Sequence, residues 1–183
     1  MKRTLLPLLP LLTAALLIGG EQKLQGDFRA WNSGRTAPEG WFSTGKSGKC
    51  TLRTDETNRQ HMLVSLSAGN EEAILCSTAL QNVKAGETVS IAVELKGKGS
   101  AGVKLFLYDA ERKHLATLSN GTYAKEEFRK FQWCFRISRE YASARTPGKK
   151  ATPAFCRVAF FAGKNSTIEF RTIRAEVSSE RKP

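Results

Sequence analysis

Strict alternation of apolar and polar residues is the feature that most limits how this chain can fold. In "TVSIAVEL" (88–95) every second residue is a large apolar one, and "KFQWCFRI" (130–137), "HMLVSLS" (61–67) and "STIEFRTIRAEV" (166–177) repeat the pattern. Successive side chains of a β-strand point to opposite faces, so this period indicates strands with one face buried and the other in water. The last segment loses its phase near Thr172, which a β-bulge would absorb.

Turn-forming segments separate these runs at short intervals, among them "KAGE", "KGKGSAG", "DAERK" and "TPGKKATP". Many short strands with frequent turns, and no convincing helical stretch, favour an antiparallel β-sandwich. The sequence therefore predicts an all-β fold with a single domain over residues 27–178. A short lead at 21–26 precedes this domain, and a C-terminal tail at 179–183 follows it.

The first twenty residues have the organisation of a secretory signal peptide. Lys2 and Arg3 precede the apolar run "LLPLLPLLTAALLIGG", which is the order of a positive n-region, an apolar h-region and small residues. The alternative is a membrane anchor, but a spanning helix needs about 20 apolar residues, and Pro7 and Pro10 interrupt this shorter run. We therefore expect residues 1–20 to be removed. The protein would then be secreted, periplasmic or at the cell surface, with no membrane insertion after cleavage.

The chain contains four cysteines, an even number that suggests up to two disulfides in an exported protein. Of the three possible connectivities we favour Cys50–Cys76 and Cys134–Cys156. Each of these would close a loop of moderate length and stabilise the fold by about 3 kcal/mol on the chain-entropy model. Reduced, buried cysteines are the alternative. The absence of a C-x-x-C motif or a neighbouring histidine argues against a zinc site.

The chain is strongly basic, because 29 Lys and Arg residues oppose 17 Asp and Glu residues, for a formal net charge of +12. Such an excess favours anionic partners, such as an acidic polysaccharide or a nucleic acid. The basic residues are scattered rather than clustered, however, and nucleic-acid binders concentrate their charge on one face. Because export also argues against nucleic acid, we predict no nucleic-acid partner, and a solvated basic surface is the alternative.

Five segments resemble, in order, the strands of galactose-binding-like jelly rolls, particularly carbohydrate-binding modules of families four and nine. "FRAW…APEGW" (28–41) resembles their opening. The later matches are "NVKAGETVSIAVELKGKG" (82–99), "GVKLFLYDAERKHL" (102–115), "FRKFQWCFRI" (128–137) and "FCRVAFFAGKNSTIEFRTIRAEV" (155–177). The resemblance covers nearly all of residues 26–178. It implies a jelly-roll sandwich that binds carbohydrate without catalysis.

The resemblance also bears on the tryptophans and on calcium. In such modules large aromatic residues hold an irregular N-terminal segment against the sandwich, and a buried tryptophan removes about 200 Å² from water. We therefore expect Trp31 and Trp41 to stabilise this segment, with a role as sugar platforms as the alternative. Many relatives hold a structural calcium ion with an acidic pair near the chain end, where this chain has Arg171 and Thr172. Arginine opposes calcium binding, so we predict no metal and no cofactor.

The candidate ligand site follows from strand phase and from the resemblance, which implies a sugar-binding groove on the exposed face of a concave sheet. If the apolar odd-numbered residues of 103–107 point into the core, their even-numbered neighbours point outward, and "AFCRVAFFAG" (154–163) divides in the same way. Apolar rings on a wet face need an explanation, and a ligand is one. Loops at 69–73 or 119–128 that cover the rings are the alternative. Ala159 is also expected on this face, and the predicted ligand-binding residues are Lys104, Phe106, Tyr108, Phe155, Arg157 and Phe161.

The sequence contains no recognisable catalytic motif. It has two histidines, no G-x-S-x-G elbow, no glycine-rich phosphate loop and no H-E-x-x-H pair. We therefore predict an exported, non-catalytic carbohydrate-binding module, not an enzyme, which recognises a poly- or oligosaccharide, including an anionic polysaccharide, through an aromatic and basic groove. The alternative is a structural or protein-interaction module of the cell envelope that docks through its basic surface.

Overall fold

The chain folds into strands alone in the part that the computed structural model describes. Within that part, no helix is long and apolar enough to cross a membrane. The predicted signal peptide, residues 1–20, lies outside the described residues. Backbone alone is described for residues 23–26, 58–62 and 172. The described residues are 23–26, 28, 34, 37–44, 49–55, 58–142 and 148–179.

Fourteen strands follow one another along the described residues. They are β1 (Lys23–Gly26), β2 (Trp41–Thr44), β3 (Lys49–Asp55), β4 (Asn58–Ser67), β5 (Ala73–Ser77), β6 (Gln81–Asn82), β7 (Thr88–Lys98), β8 (Ser100–Tyr108), β9 (His114–Tyr123), β10 (Arg129–Arg136), β11 (Tyr141–Ala142), β12 (Lys150–Ala151), β13 (Phe155–Ala162) and β14 (Thr167–Ser178).

These strands form two antiparallel sheets and one short ribbon. The first sheet, termed the β7 sheet, has the order β10-β7-β14-β4-β3, and β1 pairs with β14 beside β4. The second, termed the β8 sheet, has the order β2-β5-β13-β8-β9, and β6 pairs with β13. Strands β11 and β12 form the ribbon. The predicted all-β antiparallel sandwich is therefore confirmed.

The core lies between the two sheets and is filled by the alternate apolar residues of each. The alternate large apolar residues of β7, Val89, Ile91, Val93 and Leu95, are at most 2% exposed, as the alternation predicted. Phe160 of the β8 sheet contacts Phe170 of the β7 sheet, with 5.4 Å between the ring centroids. Trp41 is 5% exposed and its ring lies 5.8 Å from those of Phe28 and Phe160. Its predicted structural role is confirmed, whereas Trp31 lies outside the described residues.

Strand β14 holds the β7 sheet together and contains the predicted irregularity. Its pairing with β7 shifts register between Arg171 and Arg174, which confirms the bulge expected near Thr172. Beyond the bulge, β14 pairs with β1 through residues 173–176. The segment 23–26, which the sequence analysis left in the lead before the domain, is therefore a strand of this sheet.

The two predicted disulfides are wrong, because all four cysteines are free thiols. Cys50 lies on β3 of the β7 sheet, whereas Cys76 lies on β5 of the β8 sheet. Cys134 is exposed on the outer face of β10, where its Sγ lies 3.4 Å from Ser90 Oγ. Cys156 is fully buried in the core on β13. A disulfide requires Cα atoms within about 7 Å and side chains that face each other. In each proposed pair, one cysteine faces the core from one sheet and the other lies on the outer face of the other sheet.

Candidate functional site

The phase of strand β8 decides which side chains are available to a ligand. Val103, Leu105 and Leu107 are fully buried, so they point into the sandwich. Their even-numbered companions alternate with them and are half-buried. Lys104, Phe106 and Tyr108 therefore lie on the outer face of the β8 sheet, which is the orientation that the sequence analysis expected.

Strand β13 places its outward residues directly beside those of β8. Phe155 pairs with Tyr108, and Arg157 pairs with Phe106. Phe161 pairs with Gly102 at the other end of the same register. The six predicted ligand-binding residues therefore share one surface, termed the aromatic face, which consists of Lys104, Phe106, Tyr108, Phe155, Arg157 and Phe161.

Ala159 also lies on this face, as expected, but it is fully buried. Its neighbours across the strands are Lys104 on β8 and Cys76 on β5, whose longer side chains flank it. Ala159 therefore forms part of the floor of the face rather than a contact surface.

The structure adds residues from β2 and β5 that the sequence analysis missed. Cys76 pairs with Ala159, and Phe42 pairs with Cys76, so both lie on the same side of the sheet as the aromatic face. Cys76 is 5% exposed. These neighbours are distant in sequence, and only the strand order brings them together. No local pattern in the sequence could have placed Phe42 beside Arg157.

Arg157 lies between two aromatic rings of this face. Its guanidinium carbon is 5.2 Å from the ring centroid of Phe42 and 5.7 Å from that of Tyr108. At these distances a cation is attracted to the ring's π-electrons. The Nε atom is enclosed and has no hydrogen-bond partner. The contacts therefore fix the guanidinium in place without neutralising its charge.

The hairpin turn between β8 and β9 brings a second arginine to the same end of the face. One carboxylate oxygen of Asp109 accepts hydrogen bonds from the backbone N–H groups of Glu111 and Lys113, at 2.9 and 2.8 Å. Arg112 takes a left-handed conformation with φ of 60°. The turn so formed sets the Arg112 guanidinium 5.9 Å from the ring centroid of Phe155.

His114 completes this end of the face, although the sequence analysis gave it no role. Its ring centroid lies 6.0 Å from that of Phe106 and 5.8 Å from that of Tyr108, in an edge contact with the latter. Its Nε2 lies 3.0 Å from Thr117 Oγ1. His114 follows a turn, where a solvated side chain is the ordinary expectation, and the pairing of β9 with β8 places it over the aromatic rings instead.

At the opposite end, the ring of Phe161 lies across a pair of facing glycines. Gly102 and Gly121 are directly paired on β8 and β9, and a Cβ at Gly102 would lie only 2.7 Å from Phe161 Cε1. The Lys104 ammonium group is 5.3 Å from the ring centroid of Phe161. Farther along β9, Tyr123 stands on the same face with 75% of its surface exposed. Tyr123 was also missed by the sequence analysis.

The rings of the aromatic face are half-buried rather than enclosed. Phe106, Tyr108, Phe155 and Phe161 each retain accessible surface. The loop that precedes β5 reaches the rim of the face, where Glu72 forms an ion pair with Lys104. The loops at 69–73 and 119–128 therefore do not fully cover these rings, which was the alternative to a ligand.

Burial further favours the protonated forms of the Tyr108 hydroxyl and the Cys76 thiol, which are the ordinary forms of both groups at neutral pH. Burial raises the pKa of Tyr108 above its ordinary value, although the positive charge of Arg157 partly opposes the shift. Burial also raises the pKa of Cys76 to about 11, again against Arg157 and Lys104. At neutral pH, Tyr108 therefore presents a hydroxyl that can both donate and accept hydrogen bonds.

The outer face of the β7 sheet contains an ion-pair cluster. Arg171 Nε donates to Glu94 at 2.7 Å, and Arg171 Nη1 donates to the buried Asp55 at 3.2 Å. Burial alone would lower the pKa of Arg171, but these bonds raise it above its ordinary value. Arg171 thus binds two carboxylates. Among the described residues, no group of three His, Cys, Asp or Glu side chains could hold a metal ion.

A shallow depression of about 400 Å³ also lies along β7 and β10. It is lined by a mixture of apolar and charged residues, including Phe131, Glu94 and Lys130. None of the six predicted ligand-binding residues contributes to it.

The fold is similar to that of several solved structures. The xylan-binding CBM22-1 domain of Paenibacillus barcinonensis Xyn10C has a TM-score of 0.53 at 10% identity, with 85% of this chain and 94% of that chain covered. The family 11 carbohydrate-binding module of a Clostridium thermocellum cellulosomal cellulase has a TM-score of 0.52 at 11% identity, with 90% and 98% covered. The chain has the jelly-roll fold of carbohydrate-binding modules. The resemblance noted in the sequence motifs is thus confirmed for the fold.

A third similar structure belongs to a larger protein. The enzymatically active domain of tailspike protein 4 from bacteriophage CBA120 has a TM-score of 0.56 at 9% identity, with 76% of this chain covered. This jelly roll spans 20% of the tailspike chain. No protein-family model and no curated protein matches the sequence.

Proposed function

We propose that this protein is an exported, non-catalytic carbohydrate-binding module that holds a polysaccharide, including an anionic polysaccharide, on the aromatic face. One observation carries the proposal. Four half-buried aromatic rings and two cations lie together on the outer face of one sheet, in a fold that similar structures use to bind glycans, including xylan.

The chemistry of the aromatic face suits a sugar. Aromatic rings pack against the apolar C–H faces of sugar rings, while a few polar groups orient the ligand by hydrogen bonds to its hydroxyls. The phenol of Tyr108 and the imidazole of His114 lie beside the ring of Phe106 and can supply such bonds. Cationic groups over the rings supply further donors.

The arrangement of acids on this face supports binding rather than hydrolysis. Most glycoside hydrolases need two carboxyl groups about 5 to 9.5 Å apart across the scissile bond. Among the described residues, Glu72 is the acid in contact with the aromatic face, and it forms an ion pair with Lys104. Asp109, at the other end, accepts the backbone N–H groups of its own turn.

The test compares two matched ring deletions against a panel of neutral and acidic polysaccharides by affinity electrophoresis. Tyr108→Ala removes a ring of the aromatic face that lies beside the Arg157 cation. Phe128→Ala is the control, because Phe128 is also half-buried beside a cation, Arg171, but on the outer face of the other sheet. We expect Tyr108→Ala to weaken binding by about ten- to thirtyfold, from lost ring contact, and Phe128→Ala to leave the affinity unchanged.

Two results would contradict the proposal. Equal effects of the two variants would show that the aromatic face is not the binding surface. Binding that vanishes as salt rises, with no effect of Tyr108→Ala, would favour the alternative of a module that docks through its basic surface. Export is tested separately by fusing residues 1–20 to a periplasmic reporter enzyme, where an inactive and uncleaved fusion would contradict it.

A further inference from the structure

The cations of the aromatic face are not all matched by acidic side chains. Lys104 is neutralised by Glu72, whereas in the described part of the chain Arg112 and Arg157 form no ion pair with an acidic residue. The acids nearest to Arg112 in sequence have other partners. Asp109 accepts backbone N–H groups, and Glu111 forms an ion pair with Lys113. Within the described residues, two positive charges at one end of the face therefore have no acidic partner.

Arg157 is also held in a fixed position. The rings of Phe42 and Tyr108 lie 5.2 and 5.7 Å from its guanidinium carbon, and its Nε is enclosed without an acceptor. A buried N–H group that lacks a partner costs about 1–3 kcal/mol, and such exceptions among buried polar groups need an explanation. A guanidinium locked between two rings has already lost its rotamer freedom, so it is prepared to meet an anion at little further entropic cost.

We infer that this end of the aromatic face, termed the arginine end, binds a carboxylate-bearing sugar ring, so that the polysaccharide ligand contains uronic acid units. The planar fork of a guanidinium matches the two oxygens of a carboxylate, and such charge-assisted pairs are stronger than neutral hydrogen bonds. The residues of the arginine end are Phe42, Tyr108, Arg112, Phe155, Arg157 and His114. The inference rests on the proposed function and specifies its ligand class.

The other groups of the arginine end suit the rest of such a ring. Tyr108 and Phe155 are directly paired on neighbouring strands and offer ring surface to the apolar face of a sugar. His114 lies at the edge of Tyr108, within reach of a hydroxyl on the same unit. A neutral sugar would use the rings but leave both arginines without an anion, so the site discriminates in favour of the acidic unit.

The test uses polygalacturonate, alginate and glucuronoxylan, each compared with its carboxyl-reduced form, in which the uronic acids have become neutral sugars. The wild-type protein is expected to bind at least one acidic form about ten- to a hundredfold more tightly than its reduced form, the range expected for hydrogen bonds to a charged group. Arg157→Gln should abolish this preference. Arg112→Gln, in an exposed turn where folding is not at risk, should reduce it about two- to fivefold.

Arg129→Gln is the matched control, because it removes the same charge at the start of β10 in the other sheet. The inference is overturned if Arg129→Gln weakens binding as much as Arg157→Gln, since overall charge would then be the cause. It is also overturned if acidic and reduced forms bind equally. The same holds if dextran sulfate, a polyanion that contains no carboxylate, binds more tightly than every uronate. In these cases Tyr108-dependent binding of a neutral glycan would leave the proposed function intact, whereas failure to bind any glycan would contradict both.

Discussion

The pair of facing glycines under Phe161 gives a graded prediction that tests the geometry of the aromatic face. A Cβ at Gly102 would collide with the carbonyl oxygen of Asn120 and lie 2.6 Å from Gly121 Cα and 2.7 Å from Phe161 Cε1. Two of these atoms belong to the backbone of β9, so the strand itself must move. A Cβ at Gly121 would lie 3.0 Å from the Ala101 carbonyl oxygen and 3.3 Å from Phe161 Cζ, which small adjustments can relieve.

The magnitudes follow from these clearances. Overpacking lowers the free energy of unfolding by about 1–3 kcal/mol. We expect the loss caused by Gly102→Ala to be near the upper end of this range. The melting temperature should then fall by about 6–12 °C, because 1 kcal/mol corresponds to roughly 2–4 °C in a domain of this size. Gly121→Ala should cost less than about 1 kcal/mol, because alanine also restricts the unfolded chain by about 0.4–1 kcal/mol.

Differential scanning calorimetry on the two variants and the wild type measures the contrast. A Gly102→Ala protein with the wild-type melting temperature would refute the close packing of β8, β9 and Phe161. A Gly121→Ala protein that is the less stable of the two would refute the assigned position of the Phe161 ring.

Three further predictions concern the core, the far end of the aromatic face and the buried thiols. Trp41→Ala should lower the free energy of unfolding by about 3–5 kcal/mol, because the indole is 5% exposed; a loss below 1 kcal/mol in urea titrations would contradict its structural role. Tyr123→Ala should weaken the binding of long polysaccharide chains but not that of short oligosaccharides, because the ring lies about 27 Å along the strands from the arginine end. The melting temperature should not change, because the ring is 75% exposed. Isothermal titration calorimetry in which the variant and the wild type bind chains of every length with equal affinity would contradict this. The free energy of unfolding should decline as pH rises from about 9 to about 12, because burial raises the pKa of three thiols to about 11 or 12 and the unfolded chain loses those protons first. Urea titrations at stepped pH should show a smaller decline in a variant with alanine at Cys50, Cys76 and Cys156. The same decline in this variant as in the wild type would refute the role of the thiols.

The sequence could predict which side chains of each strand point into the core, because only one of the two possible orientations buries the alternate large apolar residues. A slip of one residue in β8 would turn Phe106 into the core and Leu105 into water, so the alternation of large apolar residues leaves a single favourable register. The bulge in β14 was predictable for the same reason, because the apolar period breaks where the pairing shifts at Arg171.

Relations between distant strands could be predicted only in part. The grouping of the outward residues of 104–108 with those of 155–161 was expected from the resemblance, but other relations were not. The spacing of Cys50 and Cys76 is compatible with a disulfide, but spacing does not reveal that β3 and β5 belong to different sheets. The contact of Phe42 with Arg157 could not be predicted for the same reason, because it depends on the strand order β2-β5-β13. His114 was missed because its position after a turn predicts solvent, whereas its strand register places it against Tyr108.

The central claim is that the outer face of the β8 sheet, and not that of the β7 sheet, meets the glycan. An NMR titration of the isotope-labelled protein with an oligosaccharide of the best-binding uronate measures this directly, residue by residue. The account predicts that the largest chemical-shift changes fall on residues 104–108 and 155–161, together with the Arg112 and Arg157 side-chain Nε–H signals. Changes concentrated instead on β7 and β10, around the depression beside Phe131, would contradict it.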